Sequence, residues 1–234
     1  MNPDAVAQYL QHNPGFFEDY ADLIAQIFVP HPHGGRAISL PERQMLTLRE
    51  KVKSLEHTLA DLVETGYGND ALSSKMHRLT LAMLGAATVS PARVVELLIY
   101  HLREDFAIPH TEFRAWGVKP EFAALANGEH VSDALKSLAS ASLQPLKFPY
   151  CGPLGGIMHD GTAVGDEVAA WFGEAASHLK SLALMAVPGT GAGGGLLALA
   201  SEDEHRFYAG MGTLYLERLA ESLTAALTHL YPTT

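Results

Sequence analysis

The clearest periodicity in the chain lies between Met45 and Leu62. Met45, Leu48, Val52, Leu55, Leu59 and Leu62 recur at spacings of three and four, flanked by Arg49, Glu50, Lys51, Lys53 and Glu56. Two apolar positions in every seven form the seam of a coiled coil, narrower than the face a globular helix buries. Val52 and Leu55 take the a and d roles that suit a parallel two-stranded coil. So narrow a stripe cannot close a core alone, which predicts a homodimer, with packing on the C-terminal helix of the same chain as the alternative. The start of this helix is marked by Ser39-Leu40-Pro41-Glu42, a capping box with proline in the first turn. The same register runs on through Gly66, Asn69 and Ser73 to Met76 and Met83, so the TGYGND stretch predicts a weak joint at Gly66, Gly68 and Asn69.

Residues 1–38 predict an arm of short helices, one capped by Asn2 and another opened by Asn13-Pro14, with Phe16, Phe17, Leu23, Ile24, Ile27 and Phe28 as anchors. Residues 39–87 are the long helix. Residues 88–234 form the remaining domain. There Ser90-Pro91 caps a helix carrying Val94, Leu98 and Leu102, and a strand follows from Thr111 to Val118. Short helices, one capped by Ser132, fill the middle, and LKFPYCG is extended. A further helix is expected over 166–176. Residues 179–187 and 196–201 read as a hairpin around PGTGAGGG. Ser201-Glu202-Asp203-Glu204 repeats the capping pattern, predicting a final helix that opens there and carries Leu216, Leu219, Leu223, Leu227 and Leu230. This order is α+β, an antiparallel sheet with helices gathered on one side.

Composition narrows the function classes. The chain has 234 residues, 47% of them hydrophobic, and a net charge of −10. It can bury a core, and its charge balance argues against direct nucleic-acid binding and against an anionic membrane surface. One cysteine, Cys151, rules out an internal disulfide and fits a reducing, cytoplasmic compartment. The apolar run from Ser181 to Ser201 holds Pro188 and several glycines, a poor membrane helix.

Three patterns invite chemistry, and each has a plainer reading. His31-Pro32-His33 resembles half a metal clip, but no further ligand pair stands nearby, so it reads as the turn before the Ser39 cap and no metal is expected. Gly189 to Gly194 spells G-x-G-x-x-G, yet a strand, not a helix, is predicted after it, so the amides and dipole that hold a pyrophosphate are missing. In SEDEHRF the capping pattern accounts for Ser201 and Glu204, and Asp203 is within helical reach of Arg206. With no nucleophile elbow, phosphate loop or zinc-hydrolase motif, no catalytic residue is assigned and an enzyme is not expected.

The segments AQYLQHNPGFFEDYADLIAQIFVPHPHGGRAISLPERQMLTLREKVKSLEHTL, YCGPLGG, SLALMAVPGTGAGGGLLALASEDEHRF and GMGTLYLERLA resemble the bacterial domain-of-unknown-function 484 family over nearly the whole chain. That family usually has a small residue where His33 stands. The resemblance implies a helical arm and coiled coil leading into a GAF-like domain, with an antiparallel sheet and flanking helices. It brings no activity. In some GAF domains a pocket cysteine carries a tetrapyrrole, but other signatures of that class are missing around Cys151, and no cofactor is expected. What the resemblance supports is a homodimeric cytoplasmic sensor or adaptor. An unidentified small molecule would bind near Phe113, Trp116, Tyr150, Cys151 and Met185, and the joint and coil would signal to an unidentified protein partner. The alternative is a scaffold whose GAF-like pocket is filled by its own side chains. A redox role for the Cys151 thiol is a third, weaker reading.

Overall fold

Asn2 opens the first helix, α1 (Pro3–His12), its side-chain oxygen accepting from the Asp4 amide at 3.2 Å. The helix stops at Asn13, whose backbone and side-chain amides both donate to the Tyr9 carbonyl, at 3.0 and 2.8 Å. Two short helices follow, α2 (Gly15–Asp19) and α3 (Ala21–Gln26), and none of the three buries a residue. The arm therefore has no core of its own. Strands β1 (Phe28–Val29) and β2 (Ile38–Ser39) pair antiparallel. The serine half of the capping box forms, with Ser39 Oγ accepting from the Glu42 amide at 3.4 Å, and α4 (Leu40–Ala87) begins.

The computed structural model describes residues 2–29, 38–126, 131–140, 149–159 and 162–232. His31 and His33 lie outside the described residues, as do Leu146, Lys147 and Phe148 of the LKFPYCG stretch. Two compact units are present, Met1–Asn69 and Asp70–Thr234, with α4 running unbroken through the division.

The second unit begins with the last part of α4, where Met76, Leu79, Met83 and Ala86 are buried. Ser90 Oγ accepts from the Arg93 amide at 3.3 Å and starts α5 (Pro91–Glu104). After α5, Ala107 takes a positive φ of 52° and the Ile108 amide donates back to the Leu102 carbonyl at 2.8 Å, a helix closure more often made with glycine. Then come β3 (His110–Trp116), a 3-10 turn at Pro120–Leu125, α6 (Asp133–Ser140) and β4 (Tyr150–Pro153). Ser132 Oγ accepts from the Leu135 amide at 3.3 Å and caps α6. A small ladder, β5 (Met158–His159) with β6 (Thr162–Ala163), precedes α7 (Gly165–Ala170), β7 (Ser181–Pro188), β8 (Gly194–Ser201) and α8 (Leu214–Ala226).

The main sheet runs in the order β3-β8-β7-β4 with every pairing antiparallel, so the class is α+β. Alternation sends Phe113, Ala115, Met185, Val187, Leu197 and Leu199 to one face, against the end of α4, α5 and α8. Leu182, Leu184, Leu196, Ala198 and Ala200 point the other way, against Leu135 of α6, Ile157, Val168 of α7 and Trp171. The central strands β7 and β8 are buried on both faces, which is why SLALMAV and LLALA read as continuous apolar runs.

Some expectations need correction. The helices are not gathered on one side, since α6 and α7 cover the second face. The helix expected over 166–176 ends at Ala170, and Gly173 turns the chain at φ +57° into a 3-10 segment. The second S-x-x-E pattern opens no helix: Ser201 is the last residue of β8, its Oγ accepts from the Asp203 amide at 3.1 Å, and Asp203 in turn accepts from the His205 amide at 2.9 Å. Those local bonds stabilise a turn in competition with a helical start, and α8 begins only at Leu214. Arg206 donates to the Phe106 carbonyl at 2.6 Å rather than pairing with the Asp203 carboxylate.

Candidate functional site

The stripe from Met45 to Leu62 is the largest exposed apolar feature of α4. Met45, Leu48, Val52, Leu55, Leu59 and Leu62 are each between 46% and 69% exposed. Farther along the same register, Met76 and Met83 are buried in the second unit's core. One seam thus has two fates: the second unit buries its end, while its beginning stays open. Gly66, Gly68 and Asn69 fall inside the continuous α4, at the division between the units.

The sheet separates the residues expected to share a pocket. Phe113 and Met185 are buried on the α4, α5 and α8 side, and Cys151 packs against that core from β4. Trp116 and Tyr150 pack on the opposite face. Met185 also floors an open groove of about 470 Å³ along α8, beside Glu217, Glu221 and Thr224. The face where Trp116 and Tyr150 lie is occupied by protein: Leu135, Ile157, Leu182, Leu184 and Leu196 are fully buried there. The Tyr150 hydroxyl donates to the Pro153 carbonyl at 2.7 Å. Burial pushes the Cys151 thiol up to about 11, opposite to the shift a reactive thiolate requires.

The G-x-G-x-x-G stretch is the β7–β8 turn, in which Gly191 supplies a positive φ of 60° and Gly189 and Gly193 serve packing. A Cβ on Gly193 would stand 2.8 Å from a Tyr231 ring carbon and 3.1 Å from the Gly117 carbonyl. No helix follows the turn, only β8.

Residues the sequence reasoning missed form a polar cluster where β3 meets the α7 side. Arg114 lies 3.2 Å from Glu112, and its guanidinium carbon is 5.7 Å from the centre of the Trp171 ring. Arg114 Nε and Trp171 Nε1 are buried without a hydrogen-bond acceptor among the described residues. Burial pushes the Glu112 carboxyl upward, and the Arg114 charge works against that shift. The signal was present in EFRAW, where charged residues alternate with the buried Phe113 and Ala115.

The model of the family described as "Protein of unknown function, DUF484" matches residues 1–231. The chain belongs to this family. Similar DUF484-length relatives are the "Uncharacterized protein YigA" of Salmonella typhimurium, 25% identical over 241 residues, and that of Escherichia coli K12, 26% identical over 235 residues. In each case the match covers 97% of this chain and 91% of the relative. The YigA protein of Shigella flexneri is similar at 26% identity. The similarity to these relatives of the DUF484 chain therefore spans the sequence of the arm and long helix as well as that of the sheet domain. No helix among its described residues is long and apolar enough to cross a membrane.

Proposed function

We propose that this DUF484 protein is a non-enzymatic, cytoplasmic adaptor that works as a homodimer, its α4 stripe zipped against that of a second copy and its GAF-like domain presented to a protein partner. The observation that carries this reading is the exposure of a regular a/d seam from Met45 to Leu62. Leaving that much aliphatic surface in water is unfavourable, and a coiled coil removes it with the geometry the spacing dictates. Support for an adaptor, in preference to a ligand sensor, comes from the sheet face packed by Leu135, Ile157, Leu182 and Leu184. The single cysteine supports the compartment.

Light scattering coupled to gel filtration tests the dimer. Twice the 25.2 kDa chain mass is expected, falling to one chain in Leu55→Glu/Leu59→Glu with the unfolding transition of the sheet domain unchanged. A wild-type monomer at tens of micromolar, or a double variant that still dimerises, would end this reading.

One observation favours small-molecule sensing as a second reading. The unpartnered donors of Arg114 and Trp171 are suited to an acceptor group on a ligand at the sheet's α7 side. A non-covalent adduct that co-purifies with the wild type in native mass spectrometry and is lost in Arg114→Ala supports it. A clean protein mass, retained in both, removes it.

A further inference from the structure

On the opposite side of the sheet from Arg114, a cavity of about 330 Å³ opens among the end of α4, the α5–β3 corner, β8 and α8. Its volume lies in the range of small-molecule sites. Leu102, Phe106, Leu199, Phe207 and Leu219 give it hydrocarbon and aromatic walls. The charged residues that line it are Lys75 and Arg206, and no carboxylate among the described residues does so. Arg206 is held at the wall by its 2.6 Å bond to the Phe106 carbonyl. Lys75 has no ion pair among the described residues, and Asp105, the nearby acid that feels its charge, is already engaged by His101 at 2.7 Å and Arg78 at 3.7 Å.

An apolar chamber whose lining carries two cations and, among the described residues, no carboxylate selects its ligand by two criteria at once. A purely hydrocarbon molecule leaves Lys75 and Arg206 without a counter-charge, and a small hydrophilic anion leaves the walls unfilled. A cationic amphiphile meets repulsion where it needs attraction. We infer that this cavity binds a small amphipathic carboxylate, its tail among Leu102, Phe106, Leu199 and Phe207 and its head group at Lys75 and Arg206. The backbone at Ala107, with its positive φ, sets Phe106 and Ile108 on the cavity wall from either side of the turn. This inference goes beyond the adaptor reading and is independent of dimerisation, because every lining residue belongs to the second unit.

The test is calorimetric titration of the full chain with decanoate, kept below its micelle concentration, alongside hexanoate, octanoate and decyltrimethylammonium. Saturable binding at one site per chain is expected. Affinity should rise by about fourfold for each added methylene, and decyltrimethylammonium should not bind. Lys75→Gln should weaken decanoate on the order of tenfold. Met211→Trp, which fills the chamber from a loop, should abolish binding while the thermal transition is retained. Equal binding of the cationic amphiphile, affinity independent of chain length, or unchanged decanoate binding in both variants would overturn the inference. Because Met211 sits in a loop outside the helices and strands, that variant keeps the test decisive even if Lys75→Gln fails to fold.

Discussion

Asp105, just past the end of α5, shows how far single side chains decide behaviour here. The hydrogen bond from His101 holds its carboxyl below the ordinary range; burial opposes this, and the Arg78 charge assists. A carboxyl whose folded pKa is depressed stabilises the fold above its unfolded pKa, near 4, and loses that contribution as pH falls through the lower folded value. Asp105→Asn should therefore lower Tm at pH 7, and the gap to wild type should close on acidification below about pH 4; a gap that persists at pH 2.5 would assign the effect to packing. At Cys151, burial makes the opposite prediction for chemistry. Its alkylation by iodoacetamide in the folded protein should be slow at pH 7.5 and rise about tenfold per pH unit toward the thiol's value of about 11. A plateau below pH 9 would show a thiolate that this fold does not explain. Part of the placement of these residues was legible in the sequence. Phe113 and Trp116 are separated by an odd step along one strand, so they face apart, and so do the neighbours Tyr150 and Cys151. Which face belongs to which helices was not legible, because that depends on strand order and register between segments far apart in sequence.

At the scale of elements, glycine separates what is tolerated from what is required. In α4, Gly66 and Gly68 have open space where a Cβ would stand, whereas a Cβ on Gly165, at the start of α7, would fall 2.0 Å from the Leu154 carbonyl oxygen. Gly66→Ala and Gly68→Ala should each stabilise the helix by about 0.5–1 kcal/mol, read as a gain in helical circular dichroism and in the urea midpoint. Gly165→Ala should cost roughly 1–3 kcal/mol and lower the midpoint. A loss in the first pair would show that Gly66 or Gly68 is needed for close approach of another helix, a role compatible with a signalling joint. The sequence announced the helices well wherever the signal was local: the caps at Asn2, Ser39, Ser90 and Ser132 all form. At Ser201 the local turn bonds are joined by a non-local one. Pairing of Ser201 with Ser181 extends β8 through the expected cap, and the Ser181 hydroxyl donates to the Asp203 carbonyl at 2.5 Å, holding the turn that follows.

For the whole molecule, the proposed dimer carries a prediction about the direction in which its two α4 helices run, argued from charge. With Met45, Val52 and Leu59 at a and Leu48, Leu55 and Leu62 at d, Lys51 occupies g and Glu56 the next e. In a parallel, in-register pair, Lys51 of each chain faces Glu56 of the partner subunit, and symmetry makes the contact twice. An antiparallel pair sets g against g and e against e, bringing like charges together. Exposed pairs of this kind contribute only about 0.3–0.5 kcal/mol each, so in the proposed dimer the seam would supply affinity and these charges orientation. Lys51→Glu replaces two attractions by two repulsions, and sedimentation equilibrium should show dimerisation weakened by roughly five- to thirtyfold. The charge-swapped Lys51→Glu/Glu56→Lys chain should recover wild-type affinity, and the single variant's defect should shrink at high salt because the charges are exposed. A swap that fails to rescue would exclude the parallel register.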